Sequence, residues 1–153
     1  MNITEKDLEK FIHLACNCFK VLAPRLNSLV PLEPMIELNF SRHLDYSGLI
    51  TLSQSGTHGR ICLTLPTDLL HQVLSDLGET EKTEETLLDL VGEITSIISN
   101  NAREHFGSNF NISVPTTYSA SRGDMPLLPS LCFVLPLAQS LLTAYLVISI
   151  DPN

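Results

Sequence analysis

Hydrophobic residues recur at three- and four-residue steps between Glu85 and Phe106, where Leu87, Leu90, Val91, Ile94, Ile97, Ile98 and Ala102 form one stripe. That period predicts a long helix buried along one side. At ~100° per residue, Asp89, Glu93, Ser96, Asn100 and Glu104 gather within roughly 80° of one another on the opposite side. A second helical stripe, Leu8, Phe11, Ile12, Ala15, Cys18, Phe19 and Leu22, runs to about Leu26. Thr4 with Asp7 three places on reads as its N-cap, and Pro24 and Pro31 close it.

The intervening segments change period. Met35–Phe40 alternates Ile36, Leu38 and Phe40 against Met35, Glu37 and Asn39, which predicts a half-buried strand. Leu49–Leu52 and Arg60–Leu65 read as two strands joined by the loop Ser53–Gly59. Pro66, Thr67 and Asp68 open a short helix over Leu69–Leu77 that Gly78 stops, and the polar run Glu79–Glu85 leads into the long helix. Beyond Gly107, Phe110–Ser119 reads as a strand, with Pro115 placing it at an edge or bulge. Ser121–Pro129 is a predicted loop. Leu131–Leu135 and Thr143–Ile150 are predicted strands with a turn near Pro136–Ser140. The passages Asp7–Phe40 and Glu85–Tyr118 both run from helix to strand, a hint of internal duplication. Helices segregated against a mainly antiparallel sheet predict an α+β fold, with one domain over residues 1–153.

Composition narrows the partners. The chain has 153 residues, 44% hydrophobic and 17% charged, which suits a well-buried domain without metal or disulfide staples. Its net charge is -8, and its nine basic residues are scattered singly, which argues against nucleic acid and anionic membrane. The start, Met1 to Lys6, lacks a basic region followed by an apolar run, and the late apolar stretches are interrupted by Pro136, Gln139 and Ser140. A cytoplasmic location is expected, with no membrane span. Cys16, Cys18, Cys62 and Cys132 include no C-x-x-C pair, and His13 with Cys16 supplies only two ligands, so buried reduced thiols and no metal are expected.

The polar row is the candidate site. A carboxylate one turn from a hydroxyl, with an amide a turn beyond, suits a polar or charged partner; the competing reading is an ordinary solvated helix face. The other candidates have simpler accounts. His58 is expected in an exposed turn, His105 complements the helix dipole, and Arg122-Gly-Asp124 is a coincidental tripeptide. No nucleophile elbow, P-loop or dinucleotide fingerprint occurs.

Five pieces come in a telling order: Asp45-Tyr-Ser-Gly48, Gly59–Leu65 followed by Pro66, Val91-Gly-Glu93, Asn100-Asn-Ala-Arg103 and Ile112-Ser-Val-Pro115. In that order the chain resembles the CheX-like branch of the CheC/CheX/FliY chemotaxis phosphatases, from about Asp45 to Pro115. The resemblance implies that family's fold, with a motif-bearing long helix. It also implies hydrolysis of the phospho-aspartate of a CheY-type receiver domain, with Mg2+ carried by the receiver and no cofactor of its own. In the family a Glu engages the receiver's active-site lysine, and an Asn three residues later orients the attacking water. Asp89 and Glu93 match the acidic positions, but Ser96 stands where the family has Asn. A hydroxyl is shorter than an amide and cannot hold water in the same place, and ~1 Å of misplacement costs on the order of 10²-fold. Weak phosphatase activity is therefore expected, with Asn100 the candidate substitute at a position often glycine in the family. Asp89 would assist docking. The alternative is a non-catalytic binding or dimerisation module. A homodimer is expected through a sheet edge near Leu131–Ile150.

Overall fold

The computed structural model describes residues 3–26 and 29–152; Met1 and Asn2, which began the N-terminal stretch read above, lie outside them. In chain order the elements begin with α1 (Glu5–Leu22), β1 (Val30–Pro31), β2 (Met35–Phe40), β3 (Tyr46–Gln54) and β4 (Thr57–Leu65). There follow α2 (Thr67–Asp76), α3 (Glu84–Phe106), β5 (Asn111–Ile112) and β6 (Thr116–Ser119). A single 3-10 turn at Ala120–Arg122, β7 (Leu128–Gln139) and β8 (Leu142–Ile150) complete the chain. The strands form one antiparallel sheet in the order β1-β7-β8-β4-β3-β5, with β2 also on β7 and β6 also on β3. The α+β architecture follows as predicted.

Local chemistry sets the helix ends. Thr4 and Asp7 exchange side-chain and backbone hydrogen bonds at 2.9 and 3.2 Å, a reciprocal cap on α1. The helix stops at Leu22 rather than near Leu26, because Ala23 precedes Pro24 and leaves the helical region (φ -133°). Asp45 caps α2 from a distance, accepting from Thr67 N at 2.8 Å and Thr67 Oγ1 at 2.9 Å. Thr83 caps α3, whose first turn is acidic and whose last turn carries Arg103 and His105, both in the sense the helix dipole favours.

The strands depart further from expectation. The β3–β4 loop is not Ser53–Gly59 but only Ser55 and Gly56, both with positive φ (51° and 81°), as a tight two-residue hairpin requires. His58 is therefore inside β4, not in a turn. The expected strand Phe110–Ser119 splits into β5 and β6 across Pro115, and there the Ser113 side chain accepts the Thr51 N–H at 3.0 Å. Pro136 lies inside β7 rather than in a turn, which shrinks to Ser140-Leu141. Its carbonyl accepts from Leu32 N at 3.0 Å, so its backbone polar side faces away from β8 and the missing N–H breaks no bond there.

Two corrections concern the sheet margin. Leu131–Ile150 is not an edge: β8 lies between β7 and β4, and β7 is covered by β1 and β2. The edge is β2. Its alternation also fails, because Asn39 takes φ 55° and Ser130 opposite takes φ 67°, shifting the register. Phe40 is buried with Cys62, Leu128, Cys132, Val134 and Val147, a cluster separate from the helix-side core. Ile36 and Leu38 are left 66% and 73% exposed. The main core packs α1, α2 and α3 against the other face through Phe11, Phe19, Leu63, Leu70, Val91 and Ile94. Among the described residues no helix is long and apolar enough to cross a membrane.

Candidate functional site

Helix α3 is held where the sequence supplies small residues. A Cβ on Gly48 of β3 would lie 2.2 Å from Thr95 Oγ1 and 3.1 Å from the Val91 carbonyl oxygen, so only glycine lets strand and helix approach this closely. Thr95 is fully buried and its hydroxyl donates to the Val91 carbonyl at 2.6 Å. On an adjoining side, a Cβ at Gly92 would meet Thr117 Cγ2 at 3.0 Å and Pro115 Cγ at 3.8 Å. At its C-terminal end, Phe106 lies 5.4 Å from the Phe11 ring of α1 and 5.2 Å from Phe110. The helix is thus clamped by β3, by the β5–β6 link and by α1.

What remains free is the polar row. Asp89, Glu93, Asn100 and Glu104 are exposed and Ser96 is half-buried. Burial, with the Glu93 charge adding to it, pushes the Cys18 thiol up to about 12, so the Glu93 carboxylate stands near the α1 side of the row. Ser96 is one turn beyond Gly92 and therefore on the flank bounded by Pro115 and Thr117. Val114, next along that link, is 84% exposed. The Asn100 amide folds back on its own helix, Nδ2 donating to the Ser96 carbonyl at 2.9 Å. An open groove of about 400 Å3 lies beside it, lined by Asn100, Arg103, Glu104, Gly107 and Ser108. The row thus offers two carboxylates at one end, a hydroxyl and an amide in the middle, and at the other end the Glu104 carboxylate beside the Arg103 guanidinium.

Two features escaped the sequence reading. Gly48 and Gly92 stand in two of the motif pieces quoted above, but their role, the close approach that positions α3, shows only with the partners in place. The second is a polar network on the helix-free face. His43 Nε2 is hydrogen-bonded to the Pro126 carbonyl, and its Nδ1 lies 3.3 Å from Ser47 Oγ and 3.9 Å from Cys62 Sγ. Ser47 donates to Thr64 Oγ1 at 2.9 Å, which also accepts from Leu44 N at 2.7 Å. Ser47 is fully buried, so this arrangement is structural and not a nucleophile with its base.

The remaining candidates sit apart from the row. His105 is exposed with its ring against Phe106, and Arg122 pairs with Glu84 at 3.5 Å beside Gly123 at φ 73°. All four cysteines are free thiols, Cys16 half-buried and the others buried; burial, with Cys132 nearby adding to it, pushes Cys62 up to about 12. Cys62 and Cys132 are separated by β8, a span of about two strand spacings (~9.6 Å), beyond disulfide reach. Among the described residues no group of three or more His, Cys, Asp or Glu is placed to hold a metal ion.

Comparison with known proteins gives a consistent answer. The CheC-like superfamily protein from Shewanella sp. PV-4 superposes with TM-score 0.81 at 24% identity, covering 99% of this chain and 100% of that one. Chemotaxis protein CheX from Vibrio vulnificus gives 0.78 at 23% identity over 94% and 98%. The CheX of a CheX–CheY–BeF3–Mg2+ complex from Borrelia burgdorferi gives 0.73 at 18% over 99% and 100%. No curated protein matches the chain. The family model described as chemotaxis phosphatase CheX matches residues 46–136, more than half of the chain, including α3 and its β3 and β5–β6 supports, and the chain therefore belongs to the CheX family.

Proposed function

We propose that this chain docks the outer face of α3 on the phosphorylated receiver domain of a response regulator and hydrolyses its aspartyl phosphate slowly. The observation that carries the reading is the exposed Glu93 one turn from the half-open Ser96, on a helix held elsewhere by β3, the β5–β6 link and α1. The Borrelia burgdorferi CheX bound to CheY supports a receiver as the partner. Glu93 binds the receiver's basic active-site residue, and Asp89 adds to the negative field that draws that cation in. Ser96 or Asn100 positions water. The Mg2+ belongs to the receiver.

An acyl phosphate is already activated, so the helix has only to place a water in line and tolerate the charge that develops. A serine does this poorly, which supports a second reading: a module that binds the receiver and hydrolyses nothing. Turnover on cognate phospho-receivers separates them. Glu93→Ala should abolish turnover if the chain is an enzyme, and Ser96→Asn should raise it on the order of 10–100-fold. Background turnover in the wild type, restored by Ser96→Asn, makes the chain a binding module. Turnover unmoved by either substitution removes α3 from the mechanism.

A second copy of this chain is the other partner we propose, through β2. That edge is apolar, carries no lysine or proline between residues 35 and 40, and can pair antiparallel with itself about a two-fold axis.

A further inference from the structure

Of the five arginines, four are paired: Arg25 with Asp76, Arg42 with Glu37, Arg60 with Asp151 and Arg122 with Glu84. Arg103 has no side-chain partner among the described residues. In a chain of net charge -8 an exposed, unpaired guanidinium is conspicuous, and its position is more so. Seven residues beyond Ser96, it lies within about 20° of it around the helix and roughly 10 Å along the axis, with Asn100 between them. Its side chain leans toward the helix N-terminus, that is, toward Asn100. The helix dipole accounts for a cation in the last turn but not for its alignment with the polar row.

Charge gives the alignment a purpose. Without Arg103 the row would present only Asp89, Glu93 and Glu104 as charges, which repel a phosphoryl group. Asn100 adds the complementary half. One Nδ2–H donates to the Ser96 carbonyl, which fixes the amide and leaves Oδ1 as an acceptor on a residue that lines the same groove as Arg103 and Glu104.

We infer that the phosphoryl-facing half of the site is displaced one turn toward the C-terminus of α3, with Asn100 Oδ1 holding the attacking water and Arg103 binding the phosphoryl oxygens. The inference rests on the receiver-docking reading above. Positioning the water, the task of the family's amide, falls here to Asn100, and Arg103 supplies the contact to the phosphoryl oxygens. In the step, the water oxygen forms a bond to phosphorus while the bond from phosphorus to the aspartyl oxygen breaks. The electron pair of that bond leaves with the aspartate carboxylate, one proton stays on the product phosphate and the other is released.

The test uses the full chain and a CheY-type receiver from the same organism, phosphorylated by a small-molecule donor or loaded with beryllofluoride. Arg103→Gln should lower turnover at least ~10-fold, Arg103→Lys should recover part of it, and thermal melts should be unchanged. Affinity for the beryllofluoride-loaded receiver should fall while affinity for the unloaded receiver holds; an equal fall for both assigns Arg103 to an acidic side chain and overturns the inference. Asn100→Gly should lower turnover too. Ser96→Asn placed on Arg103→Gln should restore it, with an amide again at the family's position to hold the water. Wild-type turnover no faster than the receiver's own loss of phosphate overturns the inference, as does turnover unmoved by Asn100→Gly and Arg103→Gln while Glu93→Ala abolishes it. Should Glu93→Ala itself change neither binding nor turnover, the docking reading falls first.

Discussion

Helix α3 and strand β2 both leave one side uncovered, and the two uncovered sides differ in kind. The bare side of α3 carries Asp89, Glu93, Asn100 and Glu104, groups that water solvates well. The bare side of β2 carries Ile36 and Leu38, continued by Val30 at 58% and Leu32 at 47% exposure. Exposed apolar area costs about 25 cal/mol per Å2 relative to burial, whereas a solvated carboxylate costs nothing to leave in water. A polar face on a clamped helix suits a partner that comes and goes, and an apolar edge suits one that stays.

The contrast breaks most severely if the clamp on α3 is loosened. Gly48→Ala would drive its methyl into Thr95 Oγ1 and toward the Val91 carbonyl, destabilising the fold by about 3 kcal/mol. At 2–4 °C per kcal/mol for a chain of this size, the melting temperature should fall by roughly 10 °C. Gly92→Ala is the control. Its methyl meets the Thr117 methyl at 3.0 Å and Pro115 at an ordinary 3.8 Å, and alanine gains about 1 kcal/mol of helix propensity, so the net change should stay small. Equal melting of the two variants would show that Gly48 is not the clamp.

The β2 side is sharpened by charge. Ile36→Lys with Leu38→Lys should weaken self-association at least ~100-fold, about 2.7 kcal/mol, read by sedimentation across micromolar concentrations. As surface changes they should leave the monomer's stability within ~0.5 kcal/mol and turnover on a phospho-receiver intact. A wild-type chain that sediments as a monomer at every concentration removes β2 as an interface.

How far these regions could be read in advance follows from what fixes each. The polar row of α3 was legible because helical spacing alone decides which side chains share a face, and Leu87 through Ala102 left little choice of inward side. The ends at Thr4 and Gly107 were legible because capping is local; the start at Pro66 was legible from the fixed φ of proline, while its cap, Asp45, lies 22 residues before Thr67. Strand β2 departs from its alternation because two positive-φ residues, Asn39 and Ser130, meet across the β2–β7 pairing and change the face that Phe40 occupies; nothing within Met35–Phe40 announces a partner ninety residues away. Pro136 read as a turn because its tolerance inside a strand depends on which neighbour its backbone faces. At the site, the half-burial of Ser96 and the Asn100 bond to its carbonyl depend on packing and rotamer. The His43 network draws on residues 43, 47, 62, 64 and 126, a spacing with no periodic signal.

Acid should separate the anchors of the two regions in a defined order. The His43 network lies just beyond β2, where its ring meets Phe40 edge-on at 5.4 Å and Nε2 holds Pro126 ahead of β7. Burial pushes the His43 pKa below its ordinary 6.5, opposed by the Pro126 carbonyl. A lowered pKa means the unfolded chain takes up the proton more readily. This anchor therefore contributes its full stability above about pH 6.5 and loses it as pH falls through the lower folded value. At the N-terminus of α3, hydrogen bonds from Ser119 and Ser121 and the charge of Arg122 hold the Glu84 carboxylate below its ordinary 4.5. Its contribution is lost only when pH drops below that range. Between pH 7.5 and 5.5, corrected amide exchange should therefore quicken in β2 and the adjoining part of β7 while α3 stays protected. His43→Gln should start lower at pH 7.5 and flatten the slope. Parallel loss of protection in α3 and β2 would mean that the helix-free cluster does not anchor β2 separately, and the distinction between a rigid polar face and a conditionally anchored apolar edge would fall with it.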